Sequence, residues 1–357
     1  MLYYRLGLAT LCHLFVYWKL RLCWGRGLWN LIYAAVAALF SLIPFAGRTG
    51  GFEVPYVLSV TEHVLAGITC VAFLFVDVLR IVLVLADSWA KTRMEAFFTP
   101  CRNVLIASAL TVCCFAYGFY EAWDVREVHV VISTPKLPRS VECLRIVQVT
   151  DIHLGGLYYA AHLAHVMEKV RAAEPDIFVI TGDLVDGDME RRGRESALLA
   201  EHGAKYGAFA VPGNHEFHSG YDKALIFMER SGLIPLVERA VEVGGIVIVG
   251  LDEGGGEEMW PTGLEVAQDR FVLLLKHYPQ PAKGGQNRFD LQLSGHTHGG
   301  QIWPLVYAMH RAYGVPQGLS RQNGGLVYVS NGTGFWGPPF RFLTPPEITI
   351  IDLIREI

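Results

Sequence analysis

The run Leu144-Arg145-Ile146-Val147-Gln148-Val149-Thr150-Asp151-Ile152-His153 decides how the second part of this chain folds. Its first half is aliphatic and rich in β-branched residues, which suits a buried strand, and it stops on Asp-x-His. A strand that ends this way delivers a carboxylate and an imidazole at its carboxyl edge, where open α/β sheets keep their sites. The same grammar recurs downstream. Asp176 to Ile180 runs into Thr181-Gly182-Asp183, and Ala208 to Val211 runs into Pro212-Gly213-Asn214-His215-Glu216. Val272 to Leu275 leads to His277, and Leu291 to Leu293 leads to Ser294-Gly295-His296-Thr297-His298-Gly299. Tyr159 to Ala173 and Met189 to Ala200 carry helical spacing between the early strands. Val128 to Ile132, Ile246 to Leu251, Leu326 to Val329 and Ile348 to Leu353 complete the β content. Strands that alternate with helices early and crowd together later predict two packed mixed sheets with helices outside.

The residues at these strand ends are hard oxygen and imidazole donors, the kinds a two-metal hydrolase needs. Asp183 suits the bridging position, because a carboxylate between two divalent ions offsets their repulsion. Asp151, His153 and His298 are expected to complete one ion's protein ligands, and Asn214, His277 and His296 the other's. Ions about 3.5 to 4 Å apart hold a shared hydroxide as nucleophile and neutralise phosphate oxygens. His215 is assigned to the leaving-group oxygen as hydrogen-bond donor or general acid. Asp186 is expected to fix a histidine tautomer or a loop turn, and Glu216 to orient His215. Alone, Asp-x-His is common in loops and Gly-Asp is usually a turn. Two histidines wrapped by glycines at 295–299 have little structural reason to exist, and the order of all five patches after strands points to a metal site.

In that order the patches resemble the motif set of the calcineurin-like metallophosphoesterases. Asp151-x-His153, Gly182-Asp183-x-x-Asp186, Gly213-Asn214-His215-Glu216, His277 and Gly295-His296-Thr297-His298 carry the resemblance, over roughly the last two-thirds of the chain. The continuation Gly299-Gly300-Gln301-Ile302-Trp303-Pro304 is similar to the membrane-associated phosphodiesterase branch, the transmembrane metallophosphoesterase type. The resemblance implies a four-layer α/β/β/α sandwich and two divalent ions, manganese, iron or zinc. It also narrows the chemistry. Where protein serine/threonine phosphatases of this superfamily carry phosphate-clamping arginines, this chain has Gly187 and Pro212, so a diester suits it better than a dianionic phosphoprotein. Purple acid phosphatases place an iron-binding tyrosine where Asp186 stands, so no iron-tyrosinate centre is expected.

The first third of the chain reads differently. Composition is 52% hydrophobic and only 18% charged, too apolar for an ordinary soluble two-domain protein, and the excess lies before Glu121. Leu28 to Phe45, Val64 to Ala86 and Val104 to Tyr120 are each near bilayer length, and Leu2 to Leu20 is interrupted by Arg5, His13 and Lys19, giving about four spans. The expected division is a membrane-spanning region at 1–124 and a phosphoesterase domain at 125–357. Lys19, Arg21 and Arg26 crowd one connection and Lys91, Arg93 and Arg102 another, which by the positive-inside rule places the catalytic domain on the extracytoplasmic face. Of the 7 cysteines only Cys143 lies in the second part, so cysteine usage leaves the compartment open. Asp77 and Arg80, three apart on one helical face, are expected to pair with each other or snorkel toward an interface and pin the bundle, or else to meet a polar headgroup or ion.

Net charge is -4 and no basic stripe interleaves with aromatics, so nucleic acid is not expected as a partner. The expected activity is a membrane-anchored phosphodiesterase acting on a phosphoester, with a lipid or lipid-linked substrate suggested by the adjoining spans. Trp260, Tyr278, Tyr307, Phe335 and Trp336 are candidates to line the mouth or dip into the interface, with ordinary packing the alternative. The alternative is a non-catalytic membrane protein whose metal domain binds a ligand or partner; His215 speaks against it, since a binding module needs no leaving-group donor. A transporter with an accessory hydrolase would need more buried charge than Asp77 and Arg80 supply.

Overall fold

The computed structural model describes residues 2–25, 27–46, 53–86, 93, 96–155, 159–252, 260, 264–267, 269–282, 284–285, 288–322 and 325–356. The chain divides into two compact units, Met1–Phe119 and Tyr120–Ile357.

The first unit is built from helices α1 (Leu2–Trp24), α2 (Leu28–Ala46), α3 (Glu53–Ala86) and α4 (Pro100–Trp123, ending just past the division). Four helices form where about four spans are expected, but among the described residues two stretches are long and apolar enough to cross a bilayer, Val60–Leu85 and Pro100–Trp123. The described apolar stretch of α2, Leu28–Leu39, is shorter than a span needs. In α1, Lys19 and Arg21 lower the hydropathy. Ala72, Phe73, Val76 and Ala107 are buried between helices, while Leu74, Phe75, Leu105 and Val112 face outward. Apolar side chains on the outer face are what a lipid-facing helix requires and a water-facing one avoids. Cys23 and Cys101 form a disulfide between the end of α1 and the start of α4. Asp77 does not take Arg80 as its partner: it pairs with Lys19 of α1, whose side chain is 9% exposed and needs a counter-charge inside the bundle. Arg80 lines the same cavity of about 520 Å³, walled by Trp18, Phe73 and Phe98.

The second unit holds two sheets. One has the order β1 (Arg126–Thr134), β12 (Glu347–Arg355), β2 (Cys143–Val149), β3 (Ile177–Thr181), β4 (Ala208–Val211), β5 (Leu233–Pro235). The other runs β10 (Gly318–Gln322), β11 (Gly325–Val329), β9 (Leu291–Ser294), β8 (Val272–Leu275), β7 (Ile246–Gly250), β6 (Arg239–Val243). Strand periodicity sorts the side chains into layers. Ile146, Val179, Val211 and Ile351 of the first sheet meet Ile248, Leu273 and Leu293 of the second in a shared core. Their neighbours Val147, Val149, Phe178 and Ile180 point the other way, toward Leu163, Val166 and Met167 of α5 (Tyr159–Ala172) and Phe227 of α8 (Tyr221–Arg230). The far face of the second sheet, with Val249, Leu274 and Val327, is covered by Trp260, Ala282, Phe289 and Val315. Burial on both faces explains why the central strands read as continuous aliphatic runs. The remaining helices are α6 (Gly193–Ala200), α7 (Asn214–Ser219) and α9 (Leu305–Tyr313).

His162 of α5 is 1% exposed, with Nε2 3.1 Å from the Thr333 carbonyl and its ring edge-on to Trp123. Burial holds its pKa down to about 4, whereas the unfolded chain titrates near 6.5. The unfolded state therefore takes up this proton first. The stability it contributes is complete above about pH 6.5 and is lost as pH falls to about 4, a change of roughly 3 kcal/mol. Replacing it, His162→Gln, is expected to flatten the acid limb of a urea-unfolding series between those pH values.

Candidate metal centre

Strand register brings the motifs together. Parallel pairing sets Val149 beside Ile180 and Thr181 beside Val211, so the segments that follow β2, β3 and β4 leave one edge of the first sheet side by side. In the second sheet Leu275 pairs with Leu293, which brings His277 and the 295–299 loop to the matching edge. Beneath them Gln148 ties the sheets, its Nε2 donating to Thr181 Oγ1 at 2.7 Å and to the Ser294 carbonyl at 3.2 Å.

The backbone at this edge is strained. Asp151, His153, Asp183, His296 and His298 sit at φ of 55°, 54°, 50°, 69° and 50°, the left-handed region that non-glycine residues avoid. Such conformations persist where surrounding structure over-determines them, characteristically at functional sites. Two motif glycines have a steric reason. A Cβ on Gly182 would stand 2.5 Å from His277 Nδ1, and one on Gly213 would strike the Asp183 carboxylate and the His277 ring.

Three groups of donors result at this edge among the described residues, and two of them gather the expected ligands. In the first, one ligand atom from each of Asp151, His153 and His298 lies within 4.8 Å of the others. His298 Nε2 is 3.0 Å from His153 Nε2 and 3.3 Å from Asp151 Oδ1. In the second, His277 Nε2 is 3.1 Å from Asp183 Oδ2 and 3.2 Å from His296 Nδ1. Asp183 Oδ2 is also 3.9 Å from His153 Nε2, so one carboxylate oxygen faces both groups. Outward nitrogens are engaged elsewhere: His277 Nδ1 donates to the Thr181 carbonyl at 2.8 Å, and His296 Nε2 meets the Tyr313 hydroxyl at 2.7 Å. That arrangement leaves the inward nitrogens with their lone pairs, as in metal-binding imidazoles.

These residues fit a pair of divalent cations. Among the described residues, buried Asn214 Oδ1 finds no hydrogen-bond donor. Burial pushes Asp151 up to about 6 and, with the neighbouring Asp183 charge, Glu216 up to about 7. Burial pulls His153 down to about 4 and His296 to about 3. Imidazoles held neutral beside buried carboxylates are what bound cations would relieve. Burial would raise Asp183 too, but His277 beside it holds the carboxyl well below its usual range.

His215 and Asp186 form a third element. His215 Nδ1 is 3.2 Å from Asp186 Oδ1, and the His215 ring stands edge-on to His153 at 4.5 Å. Burial works against the charged form of His215, but the hydrogen bond to Asp186 and the Asp183 charge raise its pKa overall. Its backbone N–H donates to Asp183 Oδ1 at 2.8 Å, coupling its position to the carboxylate that faces both donor groups.

Glu216 is spent differently from the expectation that it orients His215. Its carboxylate accepts the backbone N–H groups of Asp183 at 3.0 Å, Val185 at 2.9 Å and Gly213 at 2.6 Å, clasping two of the motif loops. The substitution Glu216→Ala would leave three buried donors unmet and is expected to cost more than about 3 kcal/mol, read as a lowered urea midpoint.

Some functional neighbours were not visible in the sequence. Tyr313 lies on α9 and gives no motif signal. Arg341, fully buried, donates to the carbonyls of Gly334, His298, Asn331 and Thr344, pinning the His298 loop from below. Of the aromatic candidates for the mouth, Trp260 and Phe335 are core residues at 5% and 2% exposure. Tyr278 packs on His296 with rings 3.9 Å apart, Trp336 approaches His215 at 6.5 Å, and Tyr307 is exposed.

Residues 144–300 match the family model described as calcineurin-like phosphoesterase. A metallophosphoesterase of Aquifex aeolicus is 34% identical over 67% of this chain and 95% of its own length. The chain belongs to the calcineurin-like metallophosphoesterases. A transmembrane protein with metallophosphoesterase domain from Bos taurus is 30% identical to this metallophosphoesterase over 91% of the present chain and 80% of the relative. A dimetal phosphatase from Danio rerio superposes with a TM-score of 0.34 at 13% identity, covering 53% of this chain and 87% of that structure. Family membership makes this metallophosphoesterase a metal-dependent phosphoester hydrolase, and the apolar helices of its first unit fit membrane association.

Proposed function

We propose that this metallophosphoesterase is a membrane-anchored phosphodiesterase using two divalent ions. Asp183 carries the proposal, because its Oδ2 faces His277 at 3.1 Å and His153 at 3.9 Å, as a bridging ligand must. Asp151, His153 and His298 would hold one ion, Asn214, His277 and His296 the other, with Asp183 shared. When bound, the ions supply Lewis acidity and a hydroxide nucleophile at neutral pH. His215, whose protonated form Asp186 favours, would donate a hydrogen bond and then its proton to the departing oxygen. Glu216 and Arg341 hold the loops that position these groups.

A diester is favoured because the guanidinium seated against His298, that of Arg341, gives its hydrogen bonds to protein carbonyls and is buried away from substrate. A dianionic monoester would call for such a clamp. A lipid or lipid-linked diester is favoured by Trp303, Leu305 and Tyr307, which stand 48%, 47% and 67% exposed just after the His298–Gly300 turn. The test is turnover by the full-length protein in detergent with added manganese. Hydrolysis of bis-p-nitrophenyl phosphate faster than p-nitrophenyl phosphate, and headgroup release from mixed phospholipid vesicles, are the expected results. No metal-dependent turnover would return the chain to a binding role.

The face occupied by the phosphoesterase unit follows from the end of the bundle that carries Cys23 and Cys101. Lys19, Arg21 and Arg102 favour the cytoplasm for that end, whereas the disulfide favours an oxidising compartment. We keep the extracytoplasmic assignment for the phosphoesterase unit. Protease protection of that unit in inverted membrane vesicles is the expected result, and digestion there would favour the disulfide's assignment.

A further inference from the structure

Between α1, α2 and α3 lies a second set of metal-ligand side chains, remote in sequence from the phosphoesterase motifs. His13 on α1 is 6% exposed. Its Nδ1 is 3.0 Å from the Tyr33 hydroxyl on α2, and its Nε2 is 3.2 Å from Glu62 Oε2 on α3. His63 follows Glu62, its ring 5.8 Å from that of His13 and edge-on to it. One donor atom from each of His13, Glu62 and His63 falls within 4.8 Å of the other two.

His13 Nε2 and Glu62 Oε2 approach at ion-pair distance, and among the described residues neither buried atom has a hydrogen-bond partner. Burying a carboxylate oxygen and an imidazole nitrogen in an apolar helical bundle is costly unless something satisfies them, and such groups in apolar helices are functional by default. Tyr33 supplies the remaining clue. Its hydroxyl takes up Nδ1 of His13, which fixes the ring and leaves Nε2 as the nitrogen presented to Glu62, as outer partners do for metal-binding histidines. Two imidazoles and one carboxylate suit zinc and its first-row neighbours, whereas calcium or magnesium would call for more oxygen ligands.

We infer that His13, Glu62 and His63 bind one divalent transition-metal ion that fastens α1 to α3, in addition to the ions of the phosphoesterase unit. The fourth position of a tetrahedral ion is left for water or another small ligand.

Zinc alone is the probe. Full-length protein in detergent is stripped with chelator, reloaded with zinc, desalted and assayed for zinc per chain. Wild type is expected to hold three equivalents, and Glu62→Gln and His13→Ala two each, with phosphodiester turnover unchanged. Asp183→Ala, which targets the phosphoesterase unit, is expected to keep the equivalent held by the helices. Cobalt replacement gives an independent signal, a visible absorption band that survives in Asp183→Ala and is absent from Asp183→Ala combined with Glu62→Gln. Equal zinc content in wild type and Glu62→Gln would overturn the inference and leave His13 and Glu62 as a proton-sharing pair. If neither helix variant folds, the count in wild type and Asp183→Ala decides. One equivalent retained in Asp183→Ala, with the cobalt band it carries, supports the site; none retained refutes it. Should the phosphodiesterase proposal fail, the helix-bound equivalent is unaffected, so the two outcomes are separable.

Discussion

The substitution Asp183→Ala is expected to strip the phosphoesterase unit of its ions and abolish hydrolysis of bis-p-nitrophenyl phosphate. Asp183 Oδ2 faces a histidine of each donor group, and its other oxygen accepts the His215 N–H. On the bridging assignment, removing the carboxylate would take a shared ligand from both positions and loosen the helix start that carries the proposed acid. The ions supply several kcal/mol of transition-state charge stabilisation, so turnover should fall by at least about 10³-fold. Metal analysis and turnover on the same preparation are the check. Retention of both ions with full activity would remove Asp183 from the bridging role and the dinuclear proposal with it.

The second large effect is expected at His215. His215→Ala should keep the ions, because Asn214 and not His215 is assigned as the ligand of that turn, yet lose roughly 10²- to 10⁴-fold in kcat as a general acid does. Leaving-group dependence distinguishes an acid from a merely structural histidine. p-Nitrophenolate departs without a proton, whereas an alkoxide needs one. The deficit should thus be small for bis-p-nitrophenyl phosphate and large for a diester with an alcohol leaving group. An equal deficit for both substrates, or loss of metal, would contradict the division of labour between Asn214 and His215. Asp186→Asn should reproduce a weaker form of the same pattern, since Asp186 acts by holding His215 Nδ1 at 3.2 Å.

Much of the fold was legible because burial on both faces leaves its mark on composition. β4 at Ala208–Val211 and β8 at Val272–Leu275 fall where their aliphatic runs predict, and α5 at Tyr159–Ala172 follows its apolar spacing. Elements that bury little were not legible. β10, Gly318–Gln322, alternates between half-buried and exposed along an edge, and β5, Leu233–Pro235, is too short to show a period. Their positions come from pairing with β11 and β4, a tertiary fact. Chain-neighbour reasoning placed Glu216 on His215, yet Glu216 lies in the first turn of α7 and turns back to the N-terminal N–H groups, where a carboxylate satisfies unpaired donors. Arg341 looks like a surface charge in sequence and is instead held by carbonyls that only the folded loops bring together.

Donor chemistry is local, set by residue type and by position after a strand, so Asp151, His153, Asp183, Asn214, His277, His296 and His298 were nameable before any fold was known. The apolar helical character of the first third of the chain is local in the same sense. Which donors face one another is not. Parallel register puts the ends of β2, β3 and β4 in one row, left-handed backbone occurs at five of the donor residues, and Tyr313 and the Thr181 carbonyl choose which imidazole nitrogen is left with a lone pair. The same holds for His13, Glu62 and His63, which are ordinary residues in sequence and become a cluster because helices α1 and α3 pack at that level. Distances between residues far apart in the chain are set by packing, and packing is a property of the whole fold.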